Sequence, residues 1–71
     1  MFKLREYING MEDFMKVSLR YYDEFFVRDF ASKVELKEFL INEHPEWLEL
    51  TVEKLTVTQT MIIVFVKKFH S

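Results

Sequence analysis

The sequence predicts an α+β fold: a small antiparallel sheet of four to five strands with one helix packed on one face, in the order β-β-β-α-β-β. Three observations lead there. Short segments alternate apolar and polar residues with period two, as half-buried strands do. One stretch, residues 32–43, carries helix signals at both ends. A single Gly, a single Pro and no Cys in 71 residues leave no linker, repeat or disulfide framework, so residues 1–71 read as one domain.

Residues 2–11 admit two readings. Asn9-Gly10 is the strongest hairpin dipeptide in the chain, because both central positions of the favoured turn need positive φ. A two-residue turn there sets Ile8 opposite Met11, Leu4 opposite Met15 and Phe2 opposite Val17, all on one face. It also sets Glu6 against Asp13, and facing like charges destabilise. The rival is a short helix: Leu4, Tyr7, Ile8, Met11 and Met15 also fit helical spacing, with Gly10 as C-cap. The order given above adopts the hairpin.

From Phe14 to Tyr22 the alternation is cleaner. Met15, Val17, Leu19 and Tyr21 point one way, and Lys16, Ser18, Arg20 and Tyr22 the other. Asp23-Glu24 reads as a turn and residues 25–30 as the returning strand. Ser32-Lys33-Val34-Glu35 matches a capping box. Leu36, Phe39, Leu40 and Glu43 then share a helical face with Ile41 beside it. His44 precedes Pro45 and is pushed out of helical geometry, which ends the helix near Glu43. Leu48, Leu50 and Val52 alternate with Glu49, Thr51 and Glu53 as a strand. The apolar phase then moves to Leu55 and Val57, which requires a bulge or turn near Glu53-Lys54. Thr58-Gln59-Thr60 is the expected hairpin loop. Met61 to Val66 is apolar on both faces, as in a central strand, and Lys67 and Lys68 close it as gatekeepers.

Catalytic ingredients are thin. Ser18 is mid-strand, Ser32 a cap and Ser71 terminal, and none has a His in a triad-like arrangement. His44 and His70 belong to no metal-ligand spacing; His44 reads as a helix C-terminal cap. Glu12-Asp13, Asp23-Glu24 and Glu35 with Glu38 fit turns and a solvated helix face. The lone Gly10 excludes a Gly-rich phosphate loop. We therefore expect no enzyme activity, no cofactor and no metal. The longest apolar run has six residues, against about 20 for a membrane span, and no signal peptide opens the chain. A cytoplasmic protein that does not engage membranes is the expectation.

Size and composition point to a partner instead. A core this small supplies about 3–5 kcal/mol, and no disulfide can add to it. Five strands about 4.8 Å apart make a sheet roughly 20–24 Å wide, whereas one helix is about 10–12 Å across. One helix thus leaves apolar sheet surface open, although 17% of the residues are aromatic. Large open patches mark interfaces, closed by a second copy in a homodimer or by a target protein. The expected contact surface joins Tyr21, Tyr22, Phe25 and Phe26 with Trp47 and the acidic Glu43, Glu46 and Glu49. The stretch from Glu35 to Glu53 holds six Glu and one Lys, an acidic rim suited to a basic nucleic-acid-processing enzyme. Trp47 also fits a lid over the helix end. The leading expectation is a small non-catalytic protein-binding inhibitor or adaptor, of the format that phages and mobile elements encode. The second is a single-stranded nucleic-acid-binding sheet using Lys16, Arg20 and Tyr22. The net charge of −2, from 10 basic and 12 acidic residues, and the lack of an RNP-like motif argue against nucleic acid as partner. A third is a purely structural homodimer.

The layout of residues 16–57, a hairpin, a short helix and a strand of alternating Leu and Glu, resembles the small phage inhibitors of uracil-DNA glycosylase, which are dimeric DNA mimics. That resemblance implies an inhibitor of a nucleic-acid enzyme, a role that inhibitors of CRISPR effectors share. No diagnostic motif is shared, and this chain carries a further C-terminal strand and is far less acidic.

Overall fold

The computed structural model describes residues 2–10 and 15–68. The order is α1 (Leu4–Asn9), β1 (Lys16–Tyr21), β2 (Phe26–Phe30), α2 (Lys33–Glu43), β3 (Thr51–Val57) and β4 (Met61–Lys67). Two short 3-10 segments, Tyr22–Glu24 and Pro45–Glu49, connect them.

The sheet runs β2-β1-β4-β3. Both hairpins, β1–β2 and β3–β4, are antiparallel, but the two central strands pair in parallel, with Val17 beside Ile62 and Leu19 beside Val64. The expected purely antiparallel sheet with one helix is therefore corrected on two points: the sheet is mixed, and there are two α-helices. The parallel pairing has a simple cause. The chain makes its first hairpin, crosses through α2, and returns its most apolar segment to the middle. An all-apolar strand gains most where both of its edges are paired.

The second correction concerns residues 2–11. Leu4 and Ile8, four apart, are buried on one side of α1, and Gly10 follows the helix with its N–H on the Tyr7 carbonyl. Gly10 has φ −96°, so no primed turn forms. Met11 and Asp13, the expected hairpin partners, and Phe14, the expected start of the next strand, lie outside the described residues, as do His70 and Ser71. Six residues are too few for an independent helix; tertiary contacts hold this one. The Leu4 N–H donates to the Leu50 carbonyl at 2.8 Å and the Val52 N–H to the Phe2 carbonyl at 2.8 Å. Lys3 Nζ and Arg5 Nε grip the Glu49 carboxylate at 3.0 and 3.1 Å.

The strand expected from Leu48 is a third correction. Pro45 presets a helical φ at the first position of a turn, and the segment to Glu49 winds as 3-10 before β3 begins at Thr51. Other features match expectation. α2 ends at Glu43, with His44 as its C-cap. The register between β3 and β4 slips between Val52 and Lys54, where the apolar phase shifts. Residues 58–60 form the hairpin loop: Thr58 Oγ1 accepts the Met61 and Thr60 N–H groups at 3.0 and 3.3 Å, doing the work usually left to glycine. At the start of α2 the capping box is displaced by one residue. Glu35 Oε2 accepts the Ala31 N–H at 2.9 Å rather than that of Ser32, whose side chain makes no cap bond.

All the apolar core lies on one side of the sheet. Val17, Leu19 and Tyr21 of β1 and Ile62, Val64 and Val66 of β4 pack with Leu4, Ile8, Leu36, Leu40, Trp47 and Leu50. Four strands span roughly 14–19 Å; α2 lies over β1 and β2 and α1 beside β3, while Leu55 and Val57 on the same side of β3 stay exposed. Trp47, only 8% exposed, seals the end of this layer. Its ring stacks on His44 at 3.9 Å and meets Tyr21 and Phe26 edge-on at 5.0 and 4.9 Å.

Two predictions follow from this packing. Trp47→Ala is expected to lose about 3–5 kcal/mol, whereas Ile41→Ala, on the exposed side of α2, stays within about 0.5 kcal/mol; urea titration of both variants checks the contrast. Glu49 is held below the usual carboxylate range, chiefly by the hydrogen bond from Lys3 and then by attraction to Arg5. A lowered native pKa stabilises above the unfolded value and is lost as pH falls through the native one. The protection factors of the Leu4 and Val52 amides, taken relative to intrinsic exchange at each pH, should therefore fall on acidification in the wild type and be lower already at neutral pH in Glu49→Gln.

Candidate functional site

Two surfaces stand out, one at the tip of the first hairpin and one on the sheet face away from the helices.

At the tip, β1 ends at Tyr21, one 3-10 turn follows, and the chain reverses at Phe25 before entering β2. Phe25 has φ 53° and ψ 34°, the left-handed region, and it is the only described non-glycine residue with positive φ. A side chain with a Cβ gives up about 1–2 kcal/mol there; Gly or Asn is the ordinary choice. Its ring is 95% exposed, so no burial of its own offsets the strain. Around the tip, Asp23, Glu24 and Glu46 act on the Tyr21 hydroxyl. Burial pushes that phenol above its usual pKa, and the three carboxylates raise it further. An aromatic knob thus projects beside an acidic rim.

The residues expected to form one contact surface separate. Phe25, Tyr22, Glu43, Glu46 and Glu49 are exposed. Tyr21 and Trp47 are buried in the core, and Phe26 is half-buried with its ring stacked on Phe39 at 5.7 Å. Those three support the tip from behind rather than line it. Glu49 is engaged by Lys3 and Arg5, on the clasp of α1. Adjacent aromatics explain the split: Phe25 lies outside the strand, so Phe26 alone takes the inward position.

The second surface is the other side of the sheet. Cross-strand registers place Val27, Arg20, Phe65 and Lys54 in one row, and Asp29, Ser18, Ile63 and Thr56 in the next. Arg20 Cζ and Lys54 Nζ each lie 5.7 Å from the Phe65 ring centroid, within cation–π range. Tyr22 meets the same ring edge-on at 5.9 Å and accepts a hydrogen bond from Arg20 Nη1 at 3.3 Å. Arg20 Nε and Ser18 Oγ are buried without a hydrogen-bond partner. A shallow pocket of about 260 Å³ between Lys16, Asp29, Phe30, Ala31 and Met61 lies at the end of the sheet where β1 and β4 begin. No described helix packs on this face.

Lys16 and Arg20 share one face of β1 as expected; Tyr22, expected in the same strand, follows it in a 3-10 turn and meets that face at Arg20 and Phe65, and Phe65 was not among the expected residues. Its signal was present: residues 61–66 are apolar at every position, so large apolar side chains had to fall on each face.

Among the described residues, no group of three His, Asp or Glu side chains is placed to hold a metal ion, and no helix is long and apolar enough to cross a membrane. Comparison with protein-family models, curated proteins and solved structures finds no match.

The tip makes a direct thermodynamic prediction. Phe25→Gly should raise stability by up to about 1.5 kcal/mol, the relieved strain of about 1–2 kcal/mol less the entropy of about 0.5–1 kcal/mol that glycine adds. Thermal unfolding of the variant checks the sign.

Proposed function

We propose that this chain is a non-catalytic protein-binding module of the inhibitor or adaptor kind, anchored by Phe25. The observation that carries the reading is the pairing of backbone strain with full exposure at one aromatic residue. Either alone is ordinary. Together they reduce stability at a position where Gly would serve the fold better, and strain of this sort collects at functional sites. Aromatic side chains that enter a partner's pocket dominate binding energy at interfaces. The partner has an apolar pocket bordered by basic groups. Asp23, Glu24 and Glu46 steer such a partner on approach, while Tyr21, Phe26 and Trp47 keep the tip rigid and so lower the entropy lost on docking.

The test uses two baits, wild type and Phe25→Gly, captured against an extract and followed by affinity measurement on any protein enriched. Phe25→Gly is expected to weaken that protein's binding by about 2 kcal/mol or more, the size of an interface hot spot, while the variant itself is more stable. Equal affinity of both baits would remove Phe25 as the anchor.

A further inference from the structure

The sheet face away from the helices has a chemistry unlike the tip, and Phe25 plays no part in it. Its charged residues are Lys16, Arg20, Lys54 and Lys67 against Asp29 and the bulge residue Glu53. Glu53 lies 4.0 Å from Lys67, which leaves Lys16, Arg20 and Lys54 facing outward with Asp29 at one edge. The chain's net charge of −2 does not set the field here, because charges beyond about 10 Å are screened at 0.1 M salt and most carboxylates lie on the helix side or at the hairpin tip.

The β3 bulge decides the sign of this face. Val52 pairs with Val66, and an unbroken antiparallel register would set Glu53 beside Phe65. The slip between Val52 and Lys54 sets Lys54 there instead. Phe65 thereby lies between two cations, Arg20 on β1 and Lys54 on β3, in one row across the central strands.

We infer that this face binds single-stranded nucleic acid, with a base on the Phe65 ring and phosphates on Arg20, Lys54 and Lys16. One ligand class meets both features of the row. A nucleotide brings a flat ring for Phe65 and an anion on either side of it, the pairing by which sheet surfaces hold single strands. An acidic peptide matches the charge and leaves the ring uncovered. A second copy of this chain would bring Lys16, Arg20 and Lys54 against their own counterparts. Arg20 gains by the exchange, because its buried Nε lacks an acceptor in the free protein and a phosphate oxygen supplies one once the guanidinium swings off the ring. Tyr22, already hydrogen-bonded to Arg20 Nη1, offers a second ring beside the first.

The experiment is fluorescence anisotropy with labelled oligothymidine of about 12 nucleotides, within the site sizes of single-strand-binding sheets. Three phosphate contacts give a log–log salt slope of about −2, so binding should weaken about 20-fold between about 50 and 200 mM salt. Lys54→Gln, an exposed position, is expected to flatten that slope by about 0.7. Phe65→Leu, with its fold verified by thermal unfolding, should weaken binding about 5- to 150-fold and leave the slope unchanged. The inference is overturned by no binding at about 50 mM salt, by equal affinity for a duplex of the same length, by displacement with polyglutamate as effective as with unlabelled strand, or by an unaltered affinity in Phe65→Leu.

Discussion

The parallel pairing of β1 with β4 is the constraint from which the other features follow. It brings residues 16–20 beside residues 61–65, so one strand of each hairpin meets in the middle of the sheet and the other, β2 or β3, turns outward to an edge. Because both central strands carry apolar residues in the same phase, one face becomes the core. Because the crossover through α2 and the N-terminal α1 both return to that face, its centre is covered by two helices and by Trp47, with Leu55 and Val57 of β3 left exposed at one edge. The opposite face receives what remains of β4, Ile63 and Phe65, with the Arg20 guanidinium and the Lys54 ammonium set over the Phe65 ring.

Local compromises gather at the two surfaces we assign to binding. Phe25 adopts a conformation that glycine adopts freely. Arg20 Nε and Ser18 Oγ are enclosed without partners. Elsewhere local and global preferences agree: the Thr58 hydroxyl closes its loop, Pro45 opens its turn, and the apolar residues of β4 fill a central position. Natural chains tend to break local rules where function demands it, and here backbone strain and enclosed unpaired polar atoms fall at the hairpin tip and on the sheet face away from the helices.

The parts of this fold that were legible in the sequence are those set by local chemistry. The end of α2 follows from His44-Pro45, the slip in β3 from the phase change after Val52, and the loop at residues 58–60 from its polar run. The parts that were not legible are set by distant contacts. α1 forms because Leu50, Val52 and Glu49 hold residues 2–5, information that no local window contains, and its Asn9-Gly10 end mimics a hairpin turn. The alternation of Leu48 and Leu50 mimics a strand, although Pro45 starts a 3-10 turn. Parallel and antiparallel pairing of a wholly apolar strand are indistinguishable by pattern. The candidate site divides in the same way. Exposure of the glutamates was readable, as were Trp47 as a lid over the helix end and Tyr21 on the face of Val17 and Leu19, whereas which of Phe25 and Phe26 faces outward depended on a left-handed turn that the pattern does not set.

The central claim is that, among the described residues, helices pack on one face of the sheet only, so that neighbouring residues of β4 divide between a buried and a more open side. Methyl-labelled protein with a soluble paramagnetic relaxation agent tests this most directly. Strong relaxation of the Ile63 and Val27 methyls, with the Ile62 and Val64 methyls protected, is the predicted result. Equal protection of Ile62 and Ile63 in the isolated chain would mean that a further element covers the second face and would contradict the account.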